Sequence, residues 1–228
     1  MPSVLLKEID GLVEGKLVRR INRFVLEVFV GGRIARAHLR DSGRLTELMK
    51  VNNRVLMRPK RREKTEFEVF VIYNDLIPVI VNSSIHSELG TKVLELVGYR
   101  ILKKEVRAGD SRIDLLVEKD TEKLFVEVKG CTLVKNGTAL FPDAPTERGV
   151  KHVRRIAELG GTILFLVMRE DAEKMMPNAE THPEFARTLE EAVRGGVKVM
   201  AALLKPSVHD DTLKIRFCRF IPVAFPEI

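Results

Sequence analysis

Short β-branched segments alternate with turns through the first third of the chain. The glycine pair at 31–32 and the asparagine pair at 52–53 mark two of the turns, and a single short helix fits Arg44–Met49. The segments with strand character are 16–21, 24–30, 33–39, 55–58, 67–73 and 77–81. This spacing predicts an all-β unit of about five or six strands, for which an oligonucleotide-binding (OB) barrel is the natural candidate.

The hydrophobic period changes to that of helices after Val81, and a helix is predicted over Ser87–Val97. The later predicted elements are strands at 101–106, 113–117 and 124–128, a Pro- and Gly-rich loop at 130–145, a helix at 147–159, a strand at 162–168, a helix at 185–194 and a strand at 197–204. The order α-β-β-β-α-β-α-β predicts a mixed α/β fold with helices on the faces of a mixed sheet. We therefore expect two domains, an OB-like barrel in residues 1–82 and a mixed-sheet domain in residues 83–228.

Two carboxylates and a lysine fall on neighbouring predicted strands. Asp114 lies in the second strand of the mixed-sheet domain, and Glu127 and Lys129 lie in the third. Because side chains alternate along a strand, Glu127 and Lys129 project from one face, and an antiparallel neighbour can set Asp114 beside them. Two such carboxylates bind a hard cation, Mg²⁺ or Mn²⁺, and a lysine can position or deprotonate the attacking water. The alternative interpretation is a surface ion pair between Glu127 and Lys129.

A loop with two prolines leads into a helix with a cationic face. The segment Phe-Pro-Asp-Ala-Pro-Thr-Glu-Arg-Gly occupies 141–149, and Thr146 can cap the helix that follows. Arg148, His152 and Arg155 repeat at helical spacing. Exposed amides at a helix start and cationic side chains together suit a phosphate group. An ordinary solvated helix is the alternative interpretation.

These motifs resemble two known patterns. Carboxylates on the second and third strands of an α-β-β-β-α-β unit resemble the PD-(D/E)xK nuclease fold. The segments 38–45, 111–114, 127–133 and 141–152 resemble the sugar fermentation stimulation protein A family, over almost the whole chain. The resemblance implies an N-terminal OB-like barrel, a C-terminal restriction-endonuclease-like domain and DNA binding, with the nuclease signature on Asp114, Glu127 and Lys129.

The first helix of the mixed-sheet domain departs from the nuclease pattern. Members of that fold often supply a further carboxylate from this helix, at a point where this chain has Lys92. Glu88 and Glu95 flank that point on different faces, so either of them or neither substitutes. The third metal ligand is therefore left open.

Positive charge is concentrated in the predicted barrel. The chain has 39 Lys and Arg against 32 Asp and Glu, a net charge of +7, and residues 1–82 hold 16 of the former and 10 of the latter, a net of +6. Such an excess predicts a polyanionic partner, DNA, although a charged, solvated surface would show it too. The predicted nucleic-acid contacts are Arg40, Arg44, Lys60, Arg61, Arg62 and Lys64 in the barrel, and Thr146, Arg148 and His152 in the mixed-sheet domain. The aromatic side chains of Phe24, Phe29, Phe67, Phe70 and Tyr73 are interpreted mostly as core, so we expect contacts to the nucleic-acid backbone.

These patterns favour a DNA-binding protein with a Mg²⁺-dependent phosphodiesterase site. A non-catalytic DNA-binding regulator of sugar metabolism that retains the nuclease-like fold is the alternative. The absence of Trp argues against a carbohydrate enzyme, and no apolar run approaches the ~20 residues of a membrane span. We expect a cytoplasmic protein, because the N-terminus shows no signal-peptide pattern and two cysteines are too few for a disulfide scaffold. The abundance of Lys, Arg and Glu and the absence of Gln are typical of thermophilic proteins.

Overall fold

The computed structural model describes residues 3–60, 64–109 and 111–225. Its strands are β1 (Val4–Ile9), β2 (Val13–Asn22), β3 (Val25–Val30), β4 (Arg33–His38), β5 (Arg54–Pro59), β6 (Phe67–Asn74), β7 (Ile77–Ile80), β8 (Arg100–Ala108), β9 (Ser111–Lys119), β10 (Glu122–Cys131), β11 (Leu133–Lys135), β12 (Thr138–Phe141), β13 (Thr162–Val167), β14 (Lys174–Pro177), β15 (Lys198–His209) and β16 (Thr212–Ile221). Its α-helices are α1 (His86–Leu96), α2 (Glu147–Glu158) and α3 (Pro183–Arg194). No helix in these ranges is long and apolar enough to cross a membrane.

Strands β2 to β6 close an OB-like barrel, as the alternating pattern predicts. Their hydrogen-bonded order is β4-β3-β2-β5-β6, and β4 pairs again with β6, where Ala37 lies opposite Phe67. Strand β7 extends the sheet beyond β6. Alternate side chains such as Leu26, Val28 and Met57 point inward and are fully buried.

The predicted helix over Arg44–Met49 is wrong, because this segment folds as a turn. Leu45 has a φ of 52°, in the left-handed region that an α-helix does not use. Its N–H donates to Asp143 Oδ2 at 3.1 Å, and its carbonyl accepts the amides of Leu48 (2.9 Å) and Met49 (3.1 Å). A carboxylate from the mixed-sheet domain thus overrides the local helical preference.

The large mixed sheet contains seven strands in the order β1-β16-β15-β13-β10-β9-β8, and β11, β12 and β14 form a separate three-stranded sheet. In the large sheet, strands β10, β13 and β15 run parallel, and the other neighbouring pairs are antiparallel. Helix α1 packs on one face, whereas α2 and α3 pack on the other. Strand β13 is buried at every position because both faces of the sheet are covered. The predicted mixed α/β class is confirmed.

Five strands have no counterpart in the sequence-based prediction: β1, β11, β12, β14 and β16. Strand β1 pairs with β16, so Val4–Ile9 lies in the mixed sheet, although the domain prediction places these residues in the barrel. Strands β11 and β12 form a hairpin inside the segment predicted as a loop, and β14 pairs with β12. The hydrogen bonds of β1 and β14 come from partners far away in the sequence, which no local pattern indicates.

The barrel and the mixed sheet share one hydrophobic core on the α1 face. Phe70 and Ile80 from the barrel, Leu89 of α1 and Leu166 of β13 belong to the same buried cluster. The amide of Ile80 donates to the carbonyl of Met168 at 3.0 Å. This packing holds the barrel loops next to the end of β10, where the predicted site lies.

Candidate active site

Strands β9 and β10 bring the predicted carboxylates together. They pair antiparallel with Leu115 opposite Val126, and the N–H of Val128 donates to Asp114 Oδ2 at 2.8 Å. Asp114 therefore lies beside Glu127, on the face of the sheet that α2 covers. This juxtaposition is the one that strand alternation predicts.

Glu127 is the centre of a buried polar network. Its side chain is 3% exposed, Lys129 Nζ donates to its Oε1 at 2.5 Å, and His152 Nδ1 bonds to the same oxygen. Lys129 Nζ also lies 3.3 Å from His152 Nδ1. Glu127 Oε2 is buried and has no hydrogen-bond partner among the described residues. The Glu127–Lys129 ion pair therefore exists, but its carboxylate is buried in this network and only Lys129, half-buried, reaches the solvent.

Burial and charge shift the pKa values of the two carboxylates in opposite directions. Burial, and after it the charge of Glu127, raise the pKa of Asp114 to about 6. Burial also acts to raise the pKa of Glu127, but the hydrogen bond from His152 and the charge of Lys129 outweigh it and hold that pKa below its ordinary value. Near neutral pH the network therefore keeps Glu127 ionised, whereas the raised pKa of Asp114, about 6, lies close to neutral pH.

Helix α2 carries the other half of the network. Thr146 caps the helix as predicted, since its Oγ1 accepts the N–H of Gly149 at 3.0 Å. His152 is buried against Glu127, and Arg148 Nε lies 3.4 Å from His152 Nε2. Arg155 turns away from this group and donates to the carbonyl of Ala108 at 3.1 Å. The first two turns of α2 thus carry a series of polar contacts from the exposed Arg148 through His152 to the buried Glu127 carboxylate.

A cleft of about 390 Å³ lies between the barrel and the mixed sheet. Arg23, Phe24 and the loop 40–43 form its barrel wall, and Lys129 and Arg148 belong to its sheet wall. Asp114 and Glu127 are not part of its lining. Lys129 is thus the member of the predicted triad that lines the cleft.

His86 lines the same cleft and was not predicted. It is the first residue of α1 and packs directly over Gly130, where an added Cβ would lie 2.2 Å from His86 Cε1. Burial first, and the charge of Lys129 second, lower the pKa of His86 to about 4. His86 Nε2 is buried without a hydrogen-bond partner in the described part of the chain. A neutral imidazole therefore lies next to Lys129.

Two domains of known protein families match this chain. The domain described as "SfsA N-terminal OB domain" matches residues 18–81, and "Sugar fermentation stimulation protein RE domain" matches residues 75–209. The chain belongs to the sugar fermentation stimulation protein family.

Relatives in the sugar fermentation stimulation protein family align over nearly the whole chain. The homologue of Methanothermobacter thermautotrophicus is 40% identical over 218 residues, which cover 90% of this chain and 91% of the relative. The homologue of Saccharolobus solfataricus is 39% identical over 195 residues, 83% of this chain and 78% of the relative. The structure of Pyrococcus furiosus SfsA in complex with Ca²⁺ matches with a TM-score of 0.89 and 28% identity, over 97% of this chain and 99% of that one.

Glu88 of helix α1 is not available as a further carboxylate beside Asp114. Glu88 instead forms ion pairs with Lys7 (2.6 Å) and Lys92 (3.0 Å). Glu95 is exposed in the last turn of α1. The helix brings His86 to the cleft in place of either glutamate.

The predicted barrel contacts that the structure describes do not form one free cationic patch. Arg40 and Lys60 both form ion pairs with Glu68, at 2.6 and 3.2 Å, and Arg40 alone of the two lines the cleft. Arg44 is exposed outside the cleft lining, and Lys64 is exposed too. Arg61 and Arg62 lie outside the described residues. A role of these side chains in nucleic-acid binding stays a prediction.

Two cleft residues of the barrel, Arg23 and Phe24, were not predicted as contacts. Phe24 is 45% exposed, although its place in the predicted strand 24–30 favoured a core position. Its position directly after Asn22 and Arg23, at the turn between β2 and β3, is the sequence signal that could have indicated exposure.

Proposed function

We propose that the protein binds DNA and hydrolyses its phosphodiester bonds with a divalent cation held by Asp114 and Glu127. The observation that carries this proposal is the convergence of two carboxylates and Lys129 beside a basic cleft, with one buried carboxylate oxygen of Glu127 left unpartnered in the described chain. The order of strands around this group supports a PD-(D/E)xK-like site.

The donor set fits a hard divalent cation. An unpartnered Glu127 oxygen beside Asp114 offers an oxygen-only environment, which Mg²⁺ and Mn²⁺ prefer. A positive ion held there would also offset the repulsion by Glu127 that, after burial, raises the pKa of Asp114. The Pyrococcus furiosus relative was determined in complex with Ca²⁺, which supports a hard cation here as well. When bound, such a cation would withdraw charge from the phosphate and acidify water.

The remaining groups of the network have separate tasks. Lys129 lies between Glu127 and the cleft, where its ammonium group can hold a phosphate oxygen or orient the attacking water. His152 bonds to the same Glu127 oxygen as Lys129 and so helps to fix the carboxylate. Arg148, exposed at the start of α2, can bind the adjacent phosphate.

A non-catalytic DNA-binding regulator is the second candidate. Glu127 is 2% exposed and its Oε1 is occupied by Lys129 and His152, so the carboxylate is closed off from the cleft. A protein that only binds DNA would keep this network for stability. The two functions make opposite predictions about metal-dependent turnover.

Cleavage of labelled DNA tests the proposal. Wild-type protein, Asp114→Asn and Glu88→Gln are incubated with single-stranded and double-stranded DNA in Mg²⁺, in Mn²⁺ and in EDTA. We expect cleavage by wild type and Glu88→Gln only with metal, and none by Asp114→Asn, which keeps its DNA binding. DNA binding without cleavage by any of the three proteins would favour the regulator.

A further inference from the structure

We propose that the cleft binds an unpaired stretch of nucleic acid, with one base stacked on Phe24 across the cleft from Lys129. This inference rests on the proposed function and adds the substrate class. It starts from the exposed aromatic ring of Phe24, in a cleft whose charged lining residues are Arg23, Arg40, Lys129 and Arg148 against Asp41 and Asp143.

The backbone on both sides of the Phe24 ring is fixed. The N–H of Phe24 donates to Asn22 Oδ1 at 2.9 Å, and its carbonyl accepts the amide of Leu39 at 2.9 Å. The neighbouring Arg23 donates through Nε to the carbonyl of Ser42 at 2.9 Å. The turn that carries the ring is therefore held in place before any ligand binds, which reduces the entropy lost on binding.

The surroundings of the ring suit a base better than an apolar partner. The guanidinium carbon of Arg23 lies 5.7 Å above the ring centroid, a cation–π contact that stays in water. Phe141, which also lines the cleft, packs instead against Phe165 and Phe185, with centroids 5.2 Å apart in each pair. Arg23 thus covers one face of the Phe24 ring, and the other face would be the stacking platform, with the Arg23 cation near enough to contact a phosphate.

Strandedness follows from stacking geometry. A base inside a duplex is covered on both faces by its neighbours, so it cannot stack on Phe24 unless it leaves the helix. Single-stranded or locally unpaired nucleic acid exposes these faces without that penalty. On the opposite side of the cleft, Lys129 and Arg148 are available to the backbone of the same strand.

Binding in EDTA tests the inference independently of hydrolysis. Fluorescence anisotropy would compare a labelled single strand, the same strand with abasic positions, and the matching duplex. The proteins are wild type, Phe24→Ala, Phe24→Tyr and, as a matched control, Phe29→Ala, whose ring is 48% exposed outside the cleft. Thermal melts check that each variant folds.

We expect Phe24→Ala to weaken single-strand binding by about 5- to 100-fold, while Phe24→Tyr and Phe29→Ala stay close to wild type. Wild-type protein should bind the abasic strand more weakly than the intact strand by a similar factor. Phe24→Ala should bind the abasic strand only slightly more weakly than the intact strand. Equal affinity of wild type and Phe24→Ala for the single strand, or an equal loss on the duplex, would overturn the inference. Failure of wild type to bind any nucleic acid would overturn the proposed function itself, whereas loss of cleavage alone leaves the stacking result intact.

Discussion

The two walls of the cleft are built on different physical principles. On the barrel wall, Arg23 and Phe24 are exposed and are positioned through backbone hydrogen bonds. On the sheet wall, Glu127 and His152 are buried and are positioned by bonds between side chains. The first arrangement presents charge and a flat surface to water, and the second holds ionisable groups at low dielectric. Under the proposed function, the base would contact the barrel wall and the chemistry would take place at the sheet wall.

Salt should also affect the two walls of the cleft differently. Exposed charges more than about 10 Å apart are screened at 0.1 M salt, whereas buried pairs such as Glu127–Lys129 are screened much less. Binding to the barrel wall should therefore respond to ionic strength, and the protonation of the sheet wall should not.

The largest effect is expected on the sheet wall at Lys129. In Lys129→Met the ammonium group is lost but most of the side-chain volume remains, so turnover should fall by roughly 10²- to 10⁴-fold, whereas DNA affinity should fall only by the few-fold of one phosphate contact. Lys104→Met, an exposed lysine outside the cleft, serves as the control. Single-turnover cleavage measures the effect. Wild-type turnover in Lys129→Met would leave the network without a catalytic role.

Asp114 should destabilise the metal-free protein above pH 6. Its pKa is raised from 3.8 to about 6, so the folded state binds more protons than the unfolded state between about pH 4 and 6, and unfolding free energy falls as pH rises through that window. Asp114→Asn removes this loss. In EDTA the variant should be more stable than wild type at pH 8, by up to about 3 kcal/mol, and nearly equal at pH 4. Urea denaturation at both pH values checks this, and a less stable variant at pH 8 would contradict it.

Gly130→Ala tests the packing between His86 and β10. Because the new Cβ would lie 2.2 Å from His86 Cε1, the imidazole must move, which should cost about 1–3 kcal/mol of stability. The double variant His86→Ala/Gly130→Ala should recover part of that loss, since the clash is gone. Strictly additive losses in chemical denaturation would show that His86 is not the group that Gly130 accommodates.

The smallest effect is expected on the barrel wall. Arg23→Ala should weaken DNA binding only a few-fold and lower the slope of log affinity against log salt by about 0.7–0.9, the contribution of one phosphate contact. Arg33→Ala, which removes an exposed ion pair with Glu66 outside the cleft, should leave the slope unchanged. Equal slopes for all three proteins would remove Arg23 from the interface.

The parts of the fold that follow local rules could be predicted from the sequence. Alternation of apolar residues gave the barrel strands, and Thr146 gave the start of α2. The failures share one cause, which is dependence on distant partners. Leu45 leaves the helical region because Asp143 binds its amide, and β1 becomes a strand only because β16 supplies its hydrogen bonds.

The site divides in the same way. Strand periodicity was sufficient to place Asp114 beside Glu127 and Lys129. It could not indicate that His152 would be buried against Glu127. It also could not indicate that Glu68 would pair with both Arg40 and Lys60. The packing of His86 over Gly130 was equally hidden from it. Each of these contacts joins elements whose relative position is set by the shared core and not by local sequence.

Binding of Mn²⁺ to the metal-free protein tests the central claim most directly. Calorimetric titration would compare wild type, Asp114→Asn, Glu127→Gln and the control Glu88→Gln, whose carboxylate pairs with Lys7 and Lys92 away from the cleft lining. The account predicts a site in wild type and Glu88→Gln whose affinity falls by at least about tenfold in the other two variants. Unchanged Mn²⁺ affinity in Asp114→Asn and Glu127→Gln would contradict it.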